Sequence, residues 1–112
     1  MKVFVYGTLK KNRGNDNRLI GADFLGNFTT EGSYSMLHLG GFPGVIKRGN
    51  TPIKGEVYEI NPYILRDLDV LEGFPHLYVR EIVDTDYGPA WIYLLNRKSE
   101  NRSYKEIPSG EW

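Results

Sequence analysis

Thirteen glycines and six prolines interrupt this chain every few residues over much of its 112-residue length, so the segments between them are short. Glycine supplies backbone angles other residues avoid, and proline removes a hydrogen-bond donor, so this spacing suits strands joined by turns better than a helical bundle. The remaining composition narrows the class. At 12.8 kDa the chain has room for one domain, residues 1–112, and none for a second catalytic one. A 40% hydrophobic and 25% charged content is ordinary for a folded domain and argues against disorder or a fibrous repeat. Lys plus Arg equal Asp plus Glu at 14 each, which leaves no net charge to attract nucleic acid or an anionic membrane. Cysteine is absent, and with it go disulfide frameworks, thiolate metal sites and thiol nucleophiles. No stretch approaches the ~20 apolar residues of a membrane span, and the expected compartment is cytoplasmic.

Val3 to Tyr6 reads as a buried strand that stops abruptly at Gly7. A polar, basic loop follows from Lys10 to Asn15, and Asn15 to Ala22 suggests a short helix limited by Gly26. Phe24 to Leu39 alternates loosely about Gly32, which suggests two antiparallel strands. Gly40-Gly41-Phe42-Pro43-Gly44 is expected to be irregular and to let the backbone approach a neighbour closely. Val45-Ile46 and Lys54 to Ile60 resume the strand pattern. Asn61-Pro62 opens the clearest helix, and Gly73 closes it. Tyr78 to Thr85 and Ala90 to Asn96 form a hairpin about Asp86-Tyr87-Gly88, and Asn96 to Lys105 is a polar surface loop.

On a helical wheel at about 100° per residue, Leu65, Leu68, Ile64 and Leu71 share an arc of about 120°, and Glu72 falls within it. Asp67 and Asp69 fall outside and are expected to be solvated. A carboxylate on the apolar face is desolvated and also lies near the negative end of the helix dipole, and both effects raise its pKa. A carboxyl group moved toward neutrality can take and return a proton, which is what general acid/base catalysis needs. If the helix end frays outward, Glu72 is an ordinary surface acid.

The junction Tyr6-Gly7-Thr8-Leu9 is the second candidate. Successive backbone N–H groups in such a turn can cradle a carboxylate, Thr8 adds a hydroxyl, and Lys10, Lys11, Arg13 and Arg18 could draw an anionic substrate. The alternative is a plain turn with solvated lysines. His38 and His76 cannot build a three-ligand zinc site between them, and Asp84-Thr85-Asp86 lacks the later ligands of a calcium loop. Serine-hydrolase and nucleotide-binding motifs are missing.

Taken together, Val5-Tyr6-Gly7-Thr8-Leu9, Gly41-Phe42-Pro43-Gly44 and Leu68-Asp69-Val70-Leu71-Glu72-Gly73, followed by Tyr78 and Arg80, resemble the gamma-glutamyl cyclotransferase-like family. The closing Ser109-Gly110-Glu111-Trp112 resembles the end of its short bacterial members, and within the family the chain is most similar to proteins near gamma-glutamylamine cyclotransferase. The resemblance implies an α+β fold, a small mixed β-barrel with two short helices, and a cavity beside the first strand. It implies conversion of a γ-glutamyl amine or amide into 5-oxoproline and the free amine, a transferase or lyase reaction needing neither cofactor nor metal.

Glu72 would be the catalytic acid/base. Tyr6, Gly7, Thr8, Leu9, Tyr78 and Phe42 would bind the substrate. Tyr78 would hydrogen-bond Glu72 or the substrate, or else pack the barrel, and Arg80 would be a structural ion-pair partner. Tyr34, His38 and Phe42 are candidates for the rim facing the leaving amine. The alternative function is a non-catalytic module that binds or senses a small molecule in the same pocket. A macromolecular partner held by the basic loop is disfavoured by the neutral total charge.

Overall fold

The computed structural model describes residues 1–10, 16–100 and 103–112. The apolar run at the start of the chain is its centre. β1 (Lys2–Val5) lies between β5 (Lys54–Glu59), to which it is antiparallel, and β7 (Gly88–Leu95), to which it is parallel. β2 (Asp23–Thr29) pairs with β5 and β6 (Tyr78–Thr85) with β7, giving a five-stranded sheet in the order β2-β5-β1-β7-β6. β4 (Pro43–Thr51), β3 (Tyr34–His38) and β8 (Lys105–Glu106) form a second sheet in the order β4-β3-β8.

Side chains alternate across a strand, and β1 is buried on both faces, which explains its unbroken apolar sequence. Val3 and Val5 join a cluster containing Leu19, Ile64 and Leu68, while Phe4 and Tyr6 join another with Met36, Val45 and Ile92. The class is mixed α+β. The described strands are hydrogen-bonded as two open sheets, so the ladders do not draw the closed barrel that the resemblance implies.

The helix α1 (Pro62–Leu71) starts and stops as its sequence dictates. Asn61 Oδ1 accepts a hydrogen bond from Ile64 N–H at 2.9 Å, and Pro62 occupies the first turn where its missing donor costs nothing. Ile64 and Leu68 are buried against the strands. Glu72 is the C-cap, and Gly73 turns left-handed at φ +63°. The Phe74 N–H then reaches back to the Asp69 carbonyl at 2.9 Å and the Gly73 N–H to that of Val70 at 3.1 Å, the paired bonds of a Schellman closure.

Several expectations need correction. β2 and β3 are strands but belong to different sheets, because alternation announces a strand without naming its partner. Pro43 and Gly44 are not irregular: they begin β4, Pro43 taking the first position, where a strand tolerates proline. The helix expected from Asn15 is a single 3-10 turn, Asp16–Leu19, whose Leu19 is buried; Asn15 itself lies outside the described residues. The polar loop after Asn96 contains another such turn, Arg97–Ser99. The β6–β7 hairpin closes as expected, with Thr85 opposite Gly88 at φ +102°. No described helix is long and apolar enough to cross a membrane.

Candidate active site

Where β1 ends, a cavity of about 260 Å³ opens between the turn Gly7–Leu9, the segment Gly41–Pro43 and the end of α1. Tyr6, Leu9, Pro43, Tyr78 and Tyr93 are buried and make its floor, while Gly41, Phe42 and Leu77 are exposed at its mouth. All seven residues expected at the site, Tyr6, Gly7, Thr8, Leu9, Phe42, Glu72 and Tyr78, line this one cavity. Among the described residues, no group of three or more His, Asp or Glu converges to hold a metal.

Gly7 is required here by its neighbour. An added Cβ would lie 2.9 Å from Pro43 Cγ and 3.0 Å from Cδ, so the close approach expected of the Gly41–Gly44 stretch is made by the Pro43 ring onto Gly7. The turn is closed by Lys10 N–H donating to the Gly7 carbonyl at 3.0 Å. The opposite wall is fixed by Tyr78, whose hydroxyl donates to the Pro43 carbonyl at 2.6 Å. Tyr78 therefore packs the fold and faces the cavity at once. Tyr6 donates to the Tyr93 carbonyl at 2.7 Å.

Glu72 is half-buried at the helix terminus and lines the cavity. Burial pushes its carboxyl up to about 7 from an ordinary 4.5, and among the described residues no side chain donates a hydrogen bond to it. Around it, burial raises the pKa of Tyr6, Tyr78 and Tyr93, so their phenols stay protonated wherever Glu72 titrates.

Asp69 is not the solvated acid expected from the wheel. It accepts from Arg80 Nε at 2.9 Å and Nη2 at 3.1 Å and from the Tyr93 hydroxyl at 2.6 Å. Burial works to raise its pKa, but these hydrogen bonds and the guanidinium charge hold it below the usual carboxylate range. Arg80 is the ion-pair partner its sequence position suggested. Tyr34 is buried in the core and not at the rim. His38 does not line the cavity: it is exposed and lies against Trp112, ring centroids 5.1 Å apart. Lys10 is buried and lines a separate groove with Lys54 and Glu56, Arg18 is exposed on the 3-10 turn, and Lys11 and Arg13 lie outside the described residues.

Tyr93 is not among the residues the sequence singles out, yet it lines the cavity. The signal was a hydroxyl set within the aliphatic run Ile92 to Leu95, since a buried phenol must find a partner.

Residues 3–112 match the family model described as gamma-glutamyl cyclotransferase, AIG2-like. The chain belongs to this family. The gamma-glutamylcyclotransferase family protein YtfP of Escherichia coli is 38% identical over 112 residues, covering 100% of this chain and 96% of that protein, and its solution structure superposes with a TM-score of 0.81. An uncharacterised protein of Pyrococcus horikoshii is 30% identical with a TM-score of 0.83, covering 99% of this chain and 88% of that one. A mouse AIG2-like protein shares the fold at 21% identity, with a TM-score of 0.83 over 99% of this chain and 86% of that one. Membership of the gamma-glutamyl cyclotransferase family points to an enzyme of that general type.

Proposed function

We propose that this protein is a gamma-glutamyl cyclotransferase acting on a γ-glutamyl amine or amide. The observation that carries the reading is the half-buried carboxyl group of Glu72, which lines the same cavity as the Gly7–Leu9 turn and is pushed up to about 7 by desolvation. A group at that value is both a competent base and a competent acid near neutral pH.

In the reaction, Glu72 takes a proton from the substrate's α-ammonium. The freed amine attacks the γ-carbonyl of the same molecule, forming the ring C–N bond of 5-oxoproline. The bond to the original amine then breaks as Glu72 returns its proton to the departing nitrogen, and the ring nitrogen sheds its second proton to the freed amine, which leaves as an ammonium, so Glu72 ends as it began. Because nucleophile and electrophile share one chain, holding that chain bent supplies much of the acceleration. Backbone N–H groups of the Gly7–Leu9 turn hold the α-carboxylate, or the charge that develops on the carbonyl oxygen. Tyr6 and Tyr78 shape the enclosed end, and Phe42 borders the open one, through which the leaving amine projects.

Incubation with a panel of γ-glutamyl compounds, with 5-oxoproline as the readout, tests this. Turnover that is lost in Glu72→Gln is the expected result. Thermal stabilisation by 5-oxoproline with no turnover of any compound would instead make the protein a binding module.

A further inference from the structure

Glu72 stands at the end of a helix, where the backbone is least constrained, and no described side chain holds its carboxyl group. Something must keep it turned into the cavity. The last turn of α1 is anchored one step earlier, at Asp69. Two Arg80 nitrogens and the Tyr93 hydroxyl all donate to its carboxylate, and its carbonyl accepts from Phe74 N–H just beyond Glu72. Arg80 is itself held: its guanidinium lies 4.7 Å from the centroid of Phe74 and 4.4 Å from that of Trp91. Asp69 and Phe74 thus flank Glu72 in the chain, and Arg80 touches both.

We infer that Arg80 is a positioning residue: by gripping Asp69 and stacking on Phe74 it fixes the end of α1 against β6 and β7, and so keeps Glu72 in the cavity. Its guanidinium presents two N–H groups in a fixed plane and offers a flat face to each ring, which a lysine ammonium cannot do. Through Tyr93, whose carbonyl accepts from Tyr6, the same grip reaches the cavity floor. The inference rests on the proposed reaction only for its kinetic consequence.

Two substitutions test it without changing net charge, so a movement of the Glu72 titration reports geometry rather than a lost ion. Arg80→Lys keeps the positive charge and loses the fork and the stacking. Tyr93→Phe removes one donor to Asp69 and leaves the ring, and serves if the lysine variant fails to fold. The titration of the Glu72 carboxyl carbon is followed by NMR in the full chain beside the unsubstituted protein. The ionisable groups facing Glu72 are Tyr6, Tyr78 and Tyr93, all neutral over this range.

The expected result for Arg80→Lys is a downward shift of about 1 to 2 pH units, toward the ~4.3 of a solvated glutamate. A smaller shift in the same direction is expected for Tyr93→Phe. With a γ-glutamyl substrate, kcat should fall on the order of 10- to 100-fold in Arg80→Lys while KM changes less than about 3-fold. An anchor that only stabilised the fold would lower the melting temperature and leave the titration and the kcat of folded protein where they were, and that result would overturn the inference. Should the unsubstituted protein turn over no γ-glutamyl compound, the reaction falls, and the titration still decides the role of Arg80.

Discussion

Asp69 and Glu72 stand three residues apart on one helix, and the fold treats them in opposite ways. Asp69 receives three hydrogen bonds, two of them from a guanidinium, and its pKa is lowered. Glu72 receives none from any described side chain, and burial alone raises it to about 7. Burial acts on both, more strongly on Glu72, and it is the donors reaching its carboxylate that send Asp69 the other way. Asp69 is left charged and structural. Glu72 is left able to exchange a proton, in the same cavity as the Gly7–Leu9 turn that we propose holds the substrate's carboxylate.

The contrast is broken most directly by Glu72→Gln. This variant should fold, and its 5-oxoproline production should fall on the order of 10²- to 10⁴-fold, the usual contribution of a positioned acid/base. Asp69→Asn should act through structure instead, so retained activity in Glu72→Gln would remove the functional half of the comparison. A second expectation is that kcat/KM rises with pH to a plateau, with a midpoint near 7 set by Glu72 as base in the free enzyme. A midpoint near 4 would mean that the carboxyl is solvated.

Stability should separate the two acids by sign. The contribution of Asp69 is present above the ordinary aspartate pKa and is lost as pH falls through its lowered folded value. That of Glu72 is present below the ordinary glutamate pKa and is lost as pH rises through about 7. Glu72→Gln should therefore gain about 3 kcal/mol at pH 8 and nothing at pH 4, read from denaturant midpoints. At pH 7, Asp69→Asn should lose roughly 1 to 3 kcal/mol, because it leaves Arg80 half-buried and unpaired. Two losses of equal size would erase the distinction. Tyr78→Phe is the smallest effect: taking the donor from the Pro43 carbonyl should cost about 1 kcal/mol.

Local signals are legible in the sequence. Asn61-Pro62 and Gly73 mark the ends of α1 because capping is decided within a few residues. The wheel placed Glu72 toward the core for the same reason. What sequence could not supply is partnership across the chain. Asp69 lies just outside the apolar arc, and only the arrival of Arg80 on β6 and Tyr93 on β7 turns it from a solvated acid into an anchored one. Gly7 reads as a place where a ligand approaches, yet the atoms that exclude a Cβ there belong to Pro43, thirty-odd residues on. Tyr34, a candidate for the rim, is buried instead, since which face of a strand is covered depends on the sheet opposite.

A single NMR titration of the unsubstituted protein, following the side-chain carboxyl carbons of Asp69 and Glu72 together, tests the central claim. We predict a midpoint near 7 for Glu72 and one below the ordinary aspartate range for Asp69. Two curves that both fall at the values of solvated carboxylates, about 4, would contradict it.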